Sequence, residues 1–175
     1  NGNKSHGFTA IELMFALGVI AVGTVALVLA SRGNTNKQNS NIMVADVSSL
    51  VQNIQSGFAS SSNGFEGLTN AAAISMNLVP GDLIVKAPST INSKFQGGTV
   101  DIVADGDDKF NIVYTAVPAA VCNSVVTTLG GAAFSHIDIS GTPVYDIAAP
   151  IALKPTDVGA ACNTNTTAII TFTAS

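Results

Sequence analysis

Few residues in this sequence are equipped for chemistry, and they fall in four places. Glu12 stands alone just before an uncharged run. Asp105, Asp107 and Asp108 crowd one short segment, His136 and Asp138 share the stretch FSHIDIS, and Cys122 and Cys162 are the two cysteines. The aspartate cluster has the charge for calcium, but it lacks the later glycine and bidentate glutamate of an EF-hand loop and reads as a solvated turn. His136 and Asp138, at i and i+2, would share one face of a strand. No G-x-S-x-G nucleophile motif accompanies them, so a surface histidine is the better reading. No Walker loop, dinucleotide fingerprint or zinc spacing occurs. With 10% charged residues, general acid–base catalysis has few candidates. These features point away from an enzyme and imply no cofactor and no metal. Net charge −4, seven Lys and Arg, no Trp and two Tyr argue against nucleic acid as a natural partner.

The element that must position Glu12 is the run directly after it. From Leu13 to Ala30 the chain reads LMFALGVIAVGTVALVLA, with Thr24 as its one polar residue and Arg32 just beyond. A helix of that length spans roughly 27 Å, close to the ~30 Å apolar core of a bilayer. It is apolar on every side, so it must be buried in lipid or among other helices. A cleaved signal peptide ending near Ala30-Ser31 and a plain single-pass anchor are two readings of it. A third must account for the carboxylate, which costs a few kcal/mol inside a membrane unless it is paired.

Residues 4–13, KSHGFTAIEL, place a basic residue, Gly7, an apolar residue and then Glu12 ahead of the apolar helix. This resembles the signature of type IV prepilins, well over roughly the first 58 residues and in outline beyond. The resemblance implies cleavage between Gly7 and Phe8 by a prepilin peptidase and N-methylation of Phe8. It implies a pairing of the Phe8 amine with Glu12 of a neighbouring subunit, or of the same one, to set axial register. In a low-dielectric core such a pair interacts strongly, and removing one partner leaves a costly unpaired charge. Residues 1–7 are then either an uncleaved leader or an N-terminal extension; in the second case Lys4 or His6 would be the local counter-charge for Glu12. Gly18 and Gly23 allow close helix packing. They mark a candidate point of unwinding, where the family usually has a Pro that is missing here.

The remaining elements are read from pattern. Residues 31–41, SRGNTNKQNSN, are polar and read as a bend or interruption of the helix. Met43, Val47, Leu50, Val51, Ile54 and Phe58 form one stripe of an amphipathic helix, with Asp46, Ser49, Gln52 and Asn53 between them. SGFASSSNGFEGLTN reads as an irregular loop. Alternation predicts strands over Thr99–Ala104, Phe110–Ala116, Phe134–Ile139 and Ala168–Thr173, with a weaker one over Val144–Ile147. Ala119–Leu129, after Pro118, predicts a short helix. The expected divisions are 1–7 leader or extension, 8–32 transmembrane or filament-core helix, 33–58 amphipathic half-helix, and 59–175 globular head. The fold class is α+β, a long N-terminal helix packed on an antiparallel sheet.

Beside an export signal, an even cysteine count favours a Cys122–Cys162 disulfide, with two buried free thiols as the other reading. A C-terminal disulfide loop is also what pilins show. Its size resembles the type IVb branch, which includes the toxin-coregulated, bundle-forming and conjugative thin pilins; Phe8 departs from that branch. The resemblance implies a homopolymeric filament, held in the inner membrane before assembly and extracellular afterwards. It implies as partners the prepilin peptidase and an assembly machinery with an inner-membrane platform and a cytoplasmic ATPase. A minor pilin or secretion pseudopilin is the nearest alternative, and a membrane-anchored binding domain the second. Mean hydropathy is +0.43, which suits a head with a neutral polar surface behind an apolar helix.

Overall fold

The computed structural model describes residues 35–131 and 133–175. Gly7, Phe8, Glu12, Gly18 and Gly23, and with them the apolar run, lie outside the described residues. Helix α1 covers 35–58. The part of the polar stretch that is described, from residue 35 onward, is helical rather than an interruption. Its side chains are mostly exposed there, and an exposed polar turn costs a helix little. Met43, Val47, Leu50, Val51 and Ile54 are buried as the stripe predicts.

Behind α1 come α2 (Asn70–Ser75), β1 (Ile84–Ala87), β2 (Thr90–Asn92), β3 (Thr99–Ala104), β4 (Phe110–Pro118), α3 (Ala119–Leu129), β5 (His136–Ile139), β6 (Thr142–Asp146), α4 (Pro155–Cys162) and β7 (Thr167–Ala174). The seven strands form one antiparallel sheet in the order β1-β2-β3-β4-β7-β5-β6. The C-terminal strand thus lies in the interior of the sheet, between β4 and β5. Two connections must cross over a strand to permit this: β4 to β5 through α3, and β6 to β7 through α4. Residues Lys37–Ser175 make up one compact unit.

Period-2 alternation sets the inner face. Ile102, Ile112, Phe172 and Ile137 are successive cross-strand partners, and so are Val100, Tyr114, Ile170 and Ile139. All eight are buried in one core with the α1 stripe and with Val121, Val125 and Val126 of α3. Between Tyr114 and Val117 the β4 register slips, with Ala116 at φ 54°. The extra residue restores phase, so Val117 faces the core instead of Ala116.

β2 covers only Val100 and Thr99 of β3. The rest of that edge is satisfied from elsewhere. Asn70 Oδ1 accepts from the Ile102 amide at 2.7 Å, Asn70 Nδ2 donates to the Val100 carbonyl at 3.2 Å, and the Ala104 amide donates to the Leu68 carbonyl at 3.1 Å. The 61–67 turns dock on the β3–β4 turn, where the Phe65 amide donates to the Asp107 carbonyl at 2.9 Å. Gly64 has φ 57°, and a Cβ there would collide with that carbonyl oxygen. Gly64→Ala is therefore expected to cost about 2–3 kcal/mol through backbone strain and a lost contact. A thermal melt of the variant chain checks this; an unchanged midpoint would show the turn to be adaptable.

Four elements have no counterpart among those the sequence predicts: α2, β1, β2 and α4. The strand expected over Phe134–Ile139 begins at His136, and the weaker one over Val144–Ile147 is β6, shifted to Thr142–Asp146. Thr99–Ala104 and Ala119–Leu129 match their expected bounds.

Candidate functional site

Cys122 and Cys162 are joined, with Cα atoms 5.8 Å apart, and both are fully buried. Each sits on a helix, Cys122 in the first turn of α3 and Cys162 at the end of α4. The bond therefore ties together the two crossover connections that flank β7. α3 starts directly after Pro118, and α4 starts with Pro155 in its first turn.

The remaining polar groups do structural work. Asp105 to Asp108 form an exposed turn, closed by the Asp105 amide donating to the Lys109 carbonyl at 2.8 Å. Among the described residues no three His, Cys, Asp or Glu gather as a metal site. His136 is half-buried, and its partner is Asp146 of β6, Nδ1 to Oδ2 at 3.1 Å, rather than Asp138. Register explains this: His136 lies directly opposite Asp146, whereas Asp138 lies opposite Pro143 and accepts the Gly141 amide in the hairpin turn. The Asp146 carboxyl is held below the usual range by the Ala149 and Ala148 amides, with His136 adding to them. The neighbouring Ser135 hydroxyl lies 3.3 Å from the Thr173 carbonyl, to which it donates. It therefore forms no nucleophile–base relay with His136.

Asp46 is the polar residue that the structure places differently from the sequence pattern. It is 4% exposed, within the α1 stripe rather than between its members. Spacing carries the signal, since position 46 is three after Met43 and four before Leu50, on the same helix face. Only its residue type argues for solvent.

The alternate strand positions make the other face of the sheet. Across it run Val103, Asn111, Thr173 and His136, and beside them Asp101, Val113, Thr171 and Asp138. Ile84, Val85, Val103, Ile147 and Ile169 are large exposed apolar residues.

A helical spine on an antiparallel sheet, with the last strand set inside it and a disulfide across its crossovers, is a type IV pilin fold. The crystal structure of TcpA, a type IV pilin from Vibrio cholerae El Tor biotype, superposes with a TM-score of 0.54 at 16% identity, over 79% of this chain and 99% of that one. The chain belongs to the PilS N-terminal family, whose model matches residues 34–175. No curated protein matches the chain. No described helix is long and apolar enough to cross a membrane; the apolar run before residue 31 lies outside the described residues.

Proposed function

We propose that the chain is a structural subunit of a type IV pilus that polymerises through its N-terminal helix into an extracellular filament. The observation that carries this reading is the junction of three features in one chain. A pilin-fold head belongs to the PilS family, an amphipathic helix docks into that head, and ahead of it stands an uncharged apolar run directly preceded by a single carboxylate, Glu12. The head alone satisfies its own core, whereas an all-apolar helix needs other helices or lipid around it. A filament supplies that surrounding from copies of the same helix, and the inner membrane supplies it before assembly. Cleavage between Gly7 and Phe8 would create the amine that pairs with Glu12. The prepilin peptidase, the membrane platform and the ATPase are the partners this route requires. The filament's role in this reading is adhesion, aggregation or conjugation.

Glu12→Ala is the test. Filaments sheared from cells and viewed by electron microscopy are expected to be absent or reduced at least tenfold, with the subunit still present in the membrane. Normal filaments from Glu12→Ala cells would remove the register role. Absence of any polymer from wild-type cells would remove the filament reading itself.

A further inference from the structure

Asp46 is a carboxylate in the joint between the spine helix and the head. Around it lie Met43 of its own helix, Leu83, Ser93 and Phe95 from the segment carrying β1 and β2, and Tyr114 of β4. The space left among them is about 10 Å³, room for one water. The Tyr114 hydroxyl is buried in the same place and has no hydrogen-bond partner. A buried hydroxyl without a partner is rare in a native core and signals a water or a changeable contact.

The charged and titratable groups facing Asp46 are Asp82 and Lys94 from the β1–β2 segment and Tyr114 from β4. Lys94 is engaged at the surface with Asp82, Nζ to Oδ1 at 3.2 Å, so it offsets Asp46 only in part. Burial foremost, and then the negative charge of Asp82, push the Asp46 carboxyl up to about 6, with Lys94 opposing them. Burial and Asp46 together push the Tyr114 hydroxyl upward as well, so it stays neutral.

The segment over this carboxylate is thinly held. β1 is an edge strand exposed at all four residues, β2 has three residues, and β2 meets β3 at two positions. Leu83, Ile91 and Phe95 are its buried anchors. A region with few buried contacts opens before the rest of a domain does.

We propose that Asp46 is a proton-operated latch between α1 and the segment 82–98. As a neutral acid it stays closed beneath that segment, with one water bridging it to the Tyr114 hydroxyl. As a carboxylate it draws solvent in and the segment lifts. The closed state holds the proton more tightly than the open state, where the carboxyl returns to its ordinary value of 3.8. Stability of the closed state is therefore full below that value and is lost as pH rises through about 6. Linkage between these two values makes opening about tenfold more frequent at pH 7.5 than at pH 5. The latch belongs to the head and does not depend on whether the chain polymerises.

Hydrogen exchange read by mass spectrometry on the full chain in detergent micelles tests this, with rates corrected for intrinsic pH dependence. Amides in 82–98 are expected to lose about tenfold protection from pH 5 to pH 7.5, while those of β4 and β7 keep theirs. Asp46→Asn, which stays neutral throughout, is expected to show the same protection at both pH values, at or above that of the wild type at pH 5. Asp82→Asn is expected to shrink the loss and move it to lower pH. Removing that negative neighbour, and freeing Lys94, makes ionised Asp46 easier to hold in the closed state. Equal wild-type protection at both pH values, or a tenfold loss that persists in Asp46→Asn, overturns the proposal. Should Asp46→Asn fail to fold, the carbon-13 titration of the wild-type Asp46 carboxyl decides: a midpoint near 6 supports the latch and an ordinary midpoint overturns it.

Discussion

Replacing Cys122 and Cys162 together by alanine is expected to lower the unfolding free energy of the head by about 4 kcal/mol, on the order of 10 °C in its melting midpoint. The bond closes a loop of 40 residues, which in the chain-entropy model is a large restriction on the unfolded chain. The topology adds a second reason. β7 is made last in sequence but sits between β4 and β5, so β4 and β5 do not pair with each other and meet only through it. α3, which carries the chain past β7, and α4, which carries it past β5, are held to each other by the bond. Without it, the β5–β6 hairpin is joined to the rest only through β7 and side-chain packing. Thermal denaturation of the oxidised wild-type chain beside the double variant measures the loss. A shift under about 2 °C would show that packing of α3 on α4 suffices. Both cysteines are fully buried, so a reductant alone is expected to act slowly on the folded chain.

Phe172→Ala is expected to cost about 3–5 kcal/mol, the range for emptying a large aromatic site in a core. Phe172 is fully buried at the middle of β7. Its cross-strand partners are Ile112 on one side and Ile137 on the other. Its ring lies 5.0 Å from that of Phe134, a tilted contact. All these neighbours stand on strands or turns fixed by other pairs, so the cavity cannot collapse without moving the sheet. Ile169→Thr, on an exposed position of the same strand, is the matched control and is expected to change stability by less than about 0.5 kcal/mol. Denaturant titration of the two variants separates the readings: similar losses in both would mean that β7 is sensitive to any change rather than to its core face.

Much of the fold was legible where a run of residues carried its own period. Val100, Ile102, Phe110, Ile112 and Tyr114 recur at every second position, mostly between polar residues with Val103 and Val113 as exceptions, and both strands of that hairpin are where the alternation puts them. α3 was legible because Pro118 starts it and its valines recur at helical spacing. β1 was not, because all four of its residues are exposed and no alternation marks them. β2, at three residues, is too short to show a period. α4, PTDVGAAC, is eight residues of mostly small side chains, and its buried positions Val158, Ala161 and Cys162 give little apolar contrast. The disulfide was legible as a pairing, since only two cysteines exist, but its bridging of two crossover helices was not.

By itself the sequence determined which residues are apolar, at what period, and therefore which face of each long element is buried. It also determined that the chemistry available is sparse, with one carboxylate before an uncharged apolar run and a single pair of cysteines. Tertiary structure alone decided the neighbours. Period-2 alternation places Phe172 on the inner face but cannot say that Ile112 and Ile137, 60 and 35 residues away, flank it. Helical spacing places Asp46 on the stripe but cannot say that the β1–β2 segment covers it. Burial of a charge is a property of what surrounds it, and those surroundings come from chain segments that only the folded topology brings together.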